Sequence, residues 1–507
     1  MNRIVIALLC AALCGMCSCR SAGGMQSLQP VEGMANVTLS VRGGVQNVIS
    51  RAADDNSIAD VNLYVVSGSK VLRHVYTASA TLKFACPAGK HTLYILANHH
   101  ADMGDLDYSS LSYFALQAKN GYADLPMIAV QDVEIKAGED EIVLPTIELR
   151  RAVAKINYDV AVSGDVQDIE IKSVQLARVP TTSMPFYGYN TDKGDFADSP
   201  AVPNTGNVWH MEGEFYMLPN LQGEQRQITT AQQKNRGNAP INATYLRIRA
   251  LRGDKVLDYS IYLGENDTYD FNIRANSAYL FMVLIRGDNE ADVRVQQYTV
   301  DAECATGTTP EDEIYLQKVP IKLTIGIDGQ AAGMGISCQL RVTEGNTKYL
   351  RVNGIAGQSN YPLSLENIPG NNFFDVTYLP PNFSRENARL SYTVDFYDKY
   401  GYVKSYSFSY TFARVIKIYT KWYDGGMGYG TVSSPDAFAT VRGGTLSSTY
   451  YLVYCPDEGC TLVANASVNR YFNAWYKEYA ATGKISEDHS IFYTPETSSD
   501  TIYAYFL

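Results

Sequence analysis

Apolar and polar residues alternate without a break over Val37-Thr38-Leu39-Ser40-Val41, and the same two-residue beat returns along most of the chain. Alternation of this kind marks a strand with one face on a core. It recurs in Val61-Asn62-Leu63-Tyr64-Val65-Val66, in Thr92-Leu93-Tyr94-Ile95-Leu96-Ala97, and in Ile169-Glu170-Ile171-Lys172-Ser173-Val174-Gln175-Leu176. Further on it appears in Tyr245-Leu246-Arg247-Ile248, in Tyr279-Leu280-Phe281-Met282-Val283, and in Leu390-Ser391-Tyr392-Thr393-Val394-Asp395-Phe396. Turn residues punctuate these runs, as in Ser67-Gly68-Ser69 and Pro87-Ala88-Gly89-Lys90. The one helix the pattern predicts is short, over residues 106–117, with Asp107 or Ser109 as its cap. Many short strands with regular turns predict an all-β chain of stacked sandwiches.

The length of 507 residues exceeds what one core can organise, so three or four domains are expected. Residues 159–287 form a second block and residues 303–312 read as a linker. A third block opens with Val319-Pro320-Ile321-Lys322-Leu323 and holds a hairpin turning through Asp398-Lys399-Tyr400-Gly401. The 38 tyrosines suit strands and supply amphipathic contact surface. A net charge of -11 argues against a nucleic-acid partner, which needs a basic footprint.

The first residues read as an export signal. Arg3 precedes an apolar run over residues 4–16, too short to span a bilayer. Ser18 stands directly before Cys19, and a small residue in that place suits lipoprotein processing, so Cys19 is the expected lipidation site. The lipid would be the sole attachment to the membrane. Residues 20–51 then comprise a tether and the strand around Val37, Leu39 and Val41. Behind it, Arg51 stands among small and acidic residues in Ser50-Arg51-Ala52-Ala53-Asp54-Asp55, a loop open to a trypsin-like protease. If the strand left after cutting between Arg51 and Ala52, it would bare an apolar groove and two unpaired edges, which template another chain's strand. A solvated loop arginine is the plainer alternative.

Catalytic constellations are not found. His99 and His100 with Asp102, Asp105 and Asp107 match no metal-ligand spacing, and no nucleophile elbow or phosphate loop occurs. No enzyme activity, cofactor or metal is expected. Cys455 and Cys460 can close a small disulfide loop in an oxidising compartment, or stay as two buried thiols. Trp475 and Tyr476 could face a sugar, though a place in the core of a small module accounts for them better.

Several motifs taken in order resemble the fimbrillin family of type V pili. They are Arg51-Ala52-Ala53, Cys86-Pro87-Ala88-Gly89 with the strand ending Ala97-Asn98, and Arg151-Ala152-Val153-Ala154-Lys155-Ile156. Ser173-Val174-Gln175-Leu176-Ala177-Arg178-Val179-Pro180 and Asp270-Phe271-Asn272-Ile273-Arg274-Ala275-Asn276 continue the series. The resemblance spans roughly residues 30–300. It implies two tandem transthyretin-like β-sandwiches, 52–158 and 159–300, and an arginine-specific protease acting after Arg51. It also implies assembly with other fimbrial subunits by β-strand donation, in a fimbrium at the outer membrane surface. The chain departs from shaft subunits after Gly287. An Ig-like β domain is expected over 313–418. Residues 419–507 resemble an internalin-type repeat, a small β-grasp-like module, in Gly428-Tyr429-Gly430-Thr431-Val432 and the closing Ile502-Tyr503-Ala504-Tyr505-Phe506. The last strand leaves no spare donor segment, which favours a tip or accessory position. The C-terminal half would then contact a host or bacterial surface protein or glycan. The alternative is a permanently lipid-anchored surface lipoprotein that serves as pilus anchor or glycan binder.

Overall fold

A computed structural model describes residues 34–44, 56–136, 141–188, 195–288, 294–305, 321–382, 384–385, 387–422, 430–443, 450–496 and 499–507. These residues form an all-β chain; the described α-helix is one short turn, Tyr108–Ser112, capped by the Asp107 carboxylate accepting from Ser110 N at 2.6 Å.

In the first sandwich the hydrogen-bonded order is Lys70–Thr77, Val61–Ser67, Gly89–Ala97, Met127–Ile135, Ile147–Arg151, Met34–Gly43, Thr81–Pro87. Its core gathers Leu39, Leu63, Phe84, Ile95 and Leu149. The sheet is parted on one side. Met127–Ile135 and Ile147–Arg151 pair only at Met127↔Arg151 and Ile128↔Arg150, and beyond that point a groove of ≈ 790 Å³ opens between them.

The second sandwich packs a three-stranded sheet, His210–Met217, Ala154–Val162, Ala278–Ile285, against Ile169–Ala177, Tyr245–Arg252 and Lys255–Tyr262. Ala154–Val162 crosses the boundary expected at 158/159, because its inward residues Ile156, Tyr158 and Val160 sit in the second core.

The expected linker at 303–312 needs correcting at its start. Val295–Ala305 is a strand. Its first residues pair with Lys255–Tyr262 of the second sandwich, and its remainder pairs with Ile321–Gly329 of the third. Tyr298 stands at the changeover, opposite both Val256 and Gly329. One nine-stranded sheet therefore runs through two sandwiches. The facing sheet of the third is Asn360–Leu363, Ser337–Glu344, Arg389–Tyr397, Val403–Thr411, including the hairpin through Asp398.

The tail is a two-sheet sandwich. Six strands, in the order Thr440–Gly443, Tyr450–Cys455, Arg414–Trp422, Ser499–Phe506, Phe472–Tyr476, Lys484–Ser486, face three others, Gly430–Ser433, Cys460–Ala466, Ser490–Tyr493. Its first strand begins at Arg414, ahead of the expected 419. The resemblance implies a β-grasp-like module; the described residues of the tail hold no helix, and both layers are sheets.

Candidate functional site: a strand held in the middle of the first sandwich

The strand Met34–Gly43 carries the alternation of its sequence into burial. Ala35, Val37, Leu39 and Val41 are buried, and Leu39 is fully enclosed. The intervening residues face outward because successive side chains of a strand point to opposite sides. Burying three side chains of the Val37, Leu39, Val41 class contributes roughly 5–8 kcal/mol before conformational entropy is counted.

Both edges of this strand are used. It runs antiparallel to Thr81–Pro87 from Met34↔Pro87 to Ser40↔Thr81. It runs parallel to Ile142–Val143 and then to Ile147–Arg151. Leu144 N donates to Thr38 O at 2.9 Å, Val41 N to Ala80 O at 2.9 Å, and Gly44 N to Leu149 O at 2.8 Å. Where the strand ends, Gly43 lies so close to Asn56 that a Cβ would come within 2.8 Å of its carbonyl oxygen. Removing the strand would leave two rows of unpaired backbone groups flanking a trough floored by Leu82, Phe84, Ile142 and Leu149. Cys86, opposite Ala35, lies in the same trough, where burial pushes its thiol up to about 11.

A polar rim holds the outer face. Thr38 Oγ1 donates to Glu141 Oε1 at 2.6 Å, Lys83 Nζ reaches the same oxygen at 3.3 Å, and Arg42 pairs with Glu148. The bonds from Thr38 and Lys83 hold the Glu141 carboxyl below its ordinary range. Sequence reading missed Glu141 and Glu148, since nothing local says which strand they will border. Ala35 was missed too; its small side chain gives a weak alternation signal.

A second open edge lies in the next sandwich. Ala278–Ile285 is apolar at every position, yet among the described residues it is an edge strand, paired in parallel with Ala154–Val162 on one side only. Leu280, Met282 and Leu284 face outward and are exposed. A groove of ≈ 850 Å³ follows this strand, with Tyr259, Ile261 and Tyr262 on its other wall.

Cys19, Arg51 and Ala52 lie outside the described residues. Cys455 and Cys460 are both buried as free thiols, and the Cys455 thiol donates to Cys460 Sγ. They stand on different sheets, Cys455 opposite Arg414 and Cys460 opposite Tyr493. The idea of Trp475 facing a ligand is corrected. Its ring is fully enclosed among Ile416, Leu462 and Phe506, and its Nε1 donates to Asp488 O at 3.0 Å. Tyr476, the next residue, points to the opposite face and is largely covered by Tyr505, 5.2 Å away between ring centres. The acidic and histidine cluster behaves as structure. Asp60 accepts from His100 N at 2.9 Å, and burial lowers His99. Among the described residues no group of three metal-ligating side chains forms, and no helix is long and apolar enough to cross a membrane.

Comparison with known proteins yields one family model, a domain of unknown function (DUF4906), over residues 215–283. No curated protein matches. Among solved structures, the tip fimbrial protein Mfa3 of Porphyromonas gingivalis, truncated at its C-terminus, is similar at 13% identity and a TM-score of 0.36, over 58% of this chain and 99% of that one. The chain resembles fimbrial proteins. The fimbrial anchor protein Mfa2 of the same organism matches at 12% identity and a TM-score of 0.28, over 58% of this chain and 98% of its own. A fimbrilin (FimA) of P. gingivalis W83 matches at 12% identity and a TM-score of 0.31, over 46% and 74%.

Proposed function

We propose that this protein is a structural and adhesive subunit of a cell-surface fimbrium, in a tip or accessory position, assembled by strand exchange. It is exported, lipidated at Cys19, and cut between Arg51 and Ala52 by an arginine-specific protease. The released strand Met34–Gly43 is then replaced by an extended segment of a neighbouring subunit. The observation that carries this reading is the strand's position: interior to the sheet, bonded on both edges, with Val37, Leu39 and Val41 seated in the core. An incoming strand with the same alternation regains both the backbone bonds and the apolar burial. The apolar edge of Ala278–Ile285 offers the same kind of partner a second place to pair.

N-terminal sequencing of protein extracted from the cell surface tests the reading. A start at Ala52 is expected; an intact lipidated start overturns processing. The strand seated in its groove also suits a lipid-anchored subunit that keeps it. In that case Arg51→Ala leaves assembly unchanged.

A further inference from the structure

Gly43 and Gly44 stand where the strand Met34–Gly43 ends, and the atoms against them belong to the part of the chain that would stay behind a cut after Arg51. A Cβ on Gly43 would lie 2.8 Å from Asn56 O, 2.9 Å from Asn56 Cα and 2.9 Å from Asn56 Cβ. A Cβ on Gly44 would lie 2.9 Å from Leu149 O, which accepts from Gly44 N at 2.8 Å. Backbone atoms cannot swing aside as the end of a long side chain can. Any residue larger than glycine at these places has to push the strand or the wall out of position.

The wall is anchored. Arg151 Nη2 donates to Asn56 Oδ1 at 2.8 Å. Asn98, which is buried, grips the residues that follow: its Oδ1 accepts from Ala59 N at 2.8 Å, and its Nδ2 donates to Ser57 O at 2.9 Å and to Leu125 O at 2.7 Å. Asn98 N donates to Asp60 O at 3.0 Å. From Asn56 on, the chain is thus fixed to the body of the sandwich by bonds in which Met34–Gly43 takes no part.

This stop acts together with alternation. Val37, Leu39 and Val41 enter the core at every second residue, so a slip of one residue would turn the polar face inward. A slip of two residues keeps the faces, and alternation does not oppose it. Advanced by two toward Asn56, the strand would carry the side chain of Val41 onto the place of Gly43, against the Asn56 backbone. Withdrawn by two, it would put Gly43 where Val41 is buried and leave that part of the core uncovered. The pair Arg42 and Glu148 does not set the register, since both side chains are exposed and an exposed ion pair contributes little.

We infer that the groove selects its incoming strand at this end: it takes an extended segment with three apolar side chains at alternate positions and a pair of glycines beginning two residues after the last, and it refuses the same segment with a side chain there. A clash against the wrong partner discriminates as well as a contact with the right one. The inference rests on the strand-exchange reading and gives the chemistry of the partner it calls for, a segment of another subunit in the form apolar-x-apolar-x-apolar-x-Gly-Gly.

Peptide exchange provides the test, on the full chain cut after Arg51 with both pieces present. A synthetic peptide of residues 34–44 in large excess is expected to displace the cut-off piece, as read by native mass spectrometry. The same peptide with Gly43→Val is expected to compete about tenfold less well. Arg42→Val puts the same side chain one residue earlier, on the outward face, and is expected to compete within about threefold of the parent peptide. If the parent peptide does not exchange, the strand-exchange reading fails and the inference falls with it. If the parent exchanges and Gly43→Val competes equally well, or Arg42→Val loses as much, the inference alone is overturned. In the uncut chain, Gly43→Val should speed amide exchange across residues 34–43 relative to Arg42→Val, and equal exchange in the two would show that no stop exists.

Discussion

Arg249 and Asp398, 149 residues apart in the chain, form an ion pair buried between the second and third sandwiches. Arg249 also bonds Asp258 at 2.9 Å and the Tyr298 hydroxyl at 3.3 Å, and that hydroxyl donates to Asp398 at 2.7 Å. Burial works against the charged guanidinium, but Asp398 and Asp258 outweigh it and hold Arg249 above its ordinary range. With the shared strand Val295–Ala305, this cluster makes the two sandwiches one unit.

Arg249→Met removes the cation and leaves two carboxylates buried without it. The expected loss is about 3–5 kcal/mol, the usual cost of breaking a buried pair by deleting one partner. Denaturant unfolding followed by tyrosine fluorescence would measure it. A loss below about 1 kcal/mol would show that water reaches the cluster.

Leu39→Ala empties the centre of the strand Met34–Gly43. Leu39 is fully enclosed, so the expected cost is about 2–5 kcal/mol. The cost should fall on the first sandwich, since among the described residues the hydrophobic cluster around this strand is drawn from that sandwich. Hydrogen exchange resolved by domain would show it, with the tail unchanged.

Grip on the strand Met34–Gly43 should weaken in acid. The folded pKa of Glu141 is lowered, so its contribution is fully present above the ordinary value of 4.5 and is lost as pH falls through the folded value. Amide exchange in Met34–Gly43 should speed up over that interval relative to Glu141→Gln, in which the bond to Thr38 is insensitive to pH. Equal exchange in both proteins would remove Glu141 from the account.

Cys455 and Cys460 should be joined in the exported protein. Their thiols already meet between two sheets, and closing so short a loop stabilises by about 2 kcal/mol in the chain-entropy account. Alkylation of denatured, unreduced surface protein should mark Cys86 and spare this pair. Marked Cys455 and Cys460 would establish two thiols instead.

Arg51→Ala should keep the protein out of purified filaments while leaving its export unchanged. Immunoblots of filament and membrane fractions would show the difference. Recovery of the variant in filaments at the parental level would favour the lipid-anchored reading.

Much of this architecture is legible in the chain itself. Val37, Leu39 and Val41, or Ile169, Ile171, Val174 and Leu176, announce buried strand faces because alternation is a local consequence of the pleat. Asp107 marks its helix because a cap acts across three residues. Trp475 and Tyr476 mark the limit: both are large aromatics, and only the register of Phe472–Tyr476 sends the first into the core and the second to the outer face.

What the sequence by itself determined, then, is that the chain is built of strands and which faces of many are apolar. Tertiary structure alone decided which strands are neighbours. It put Met34–Gly43 in the middle of its sheet, let Val295–Ala305 serve two sandwiches, and set Arg249 against Asp398. The physical reason is that side-chain alternation is set by each residue's own backbone, whereas pairing is set by hydrogen bonds and burial between segments far apart in the chain.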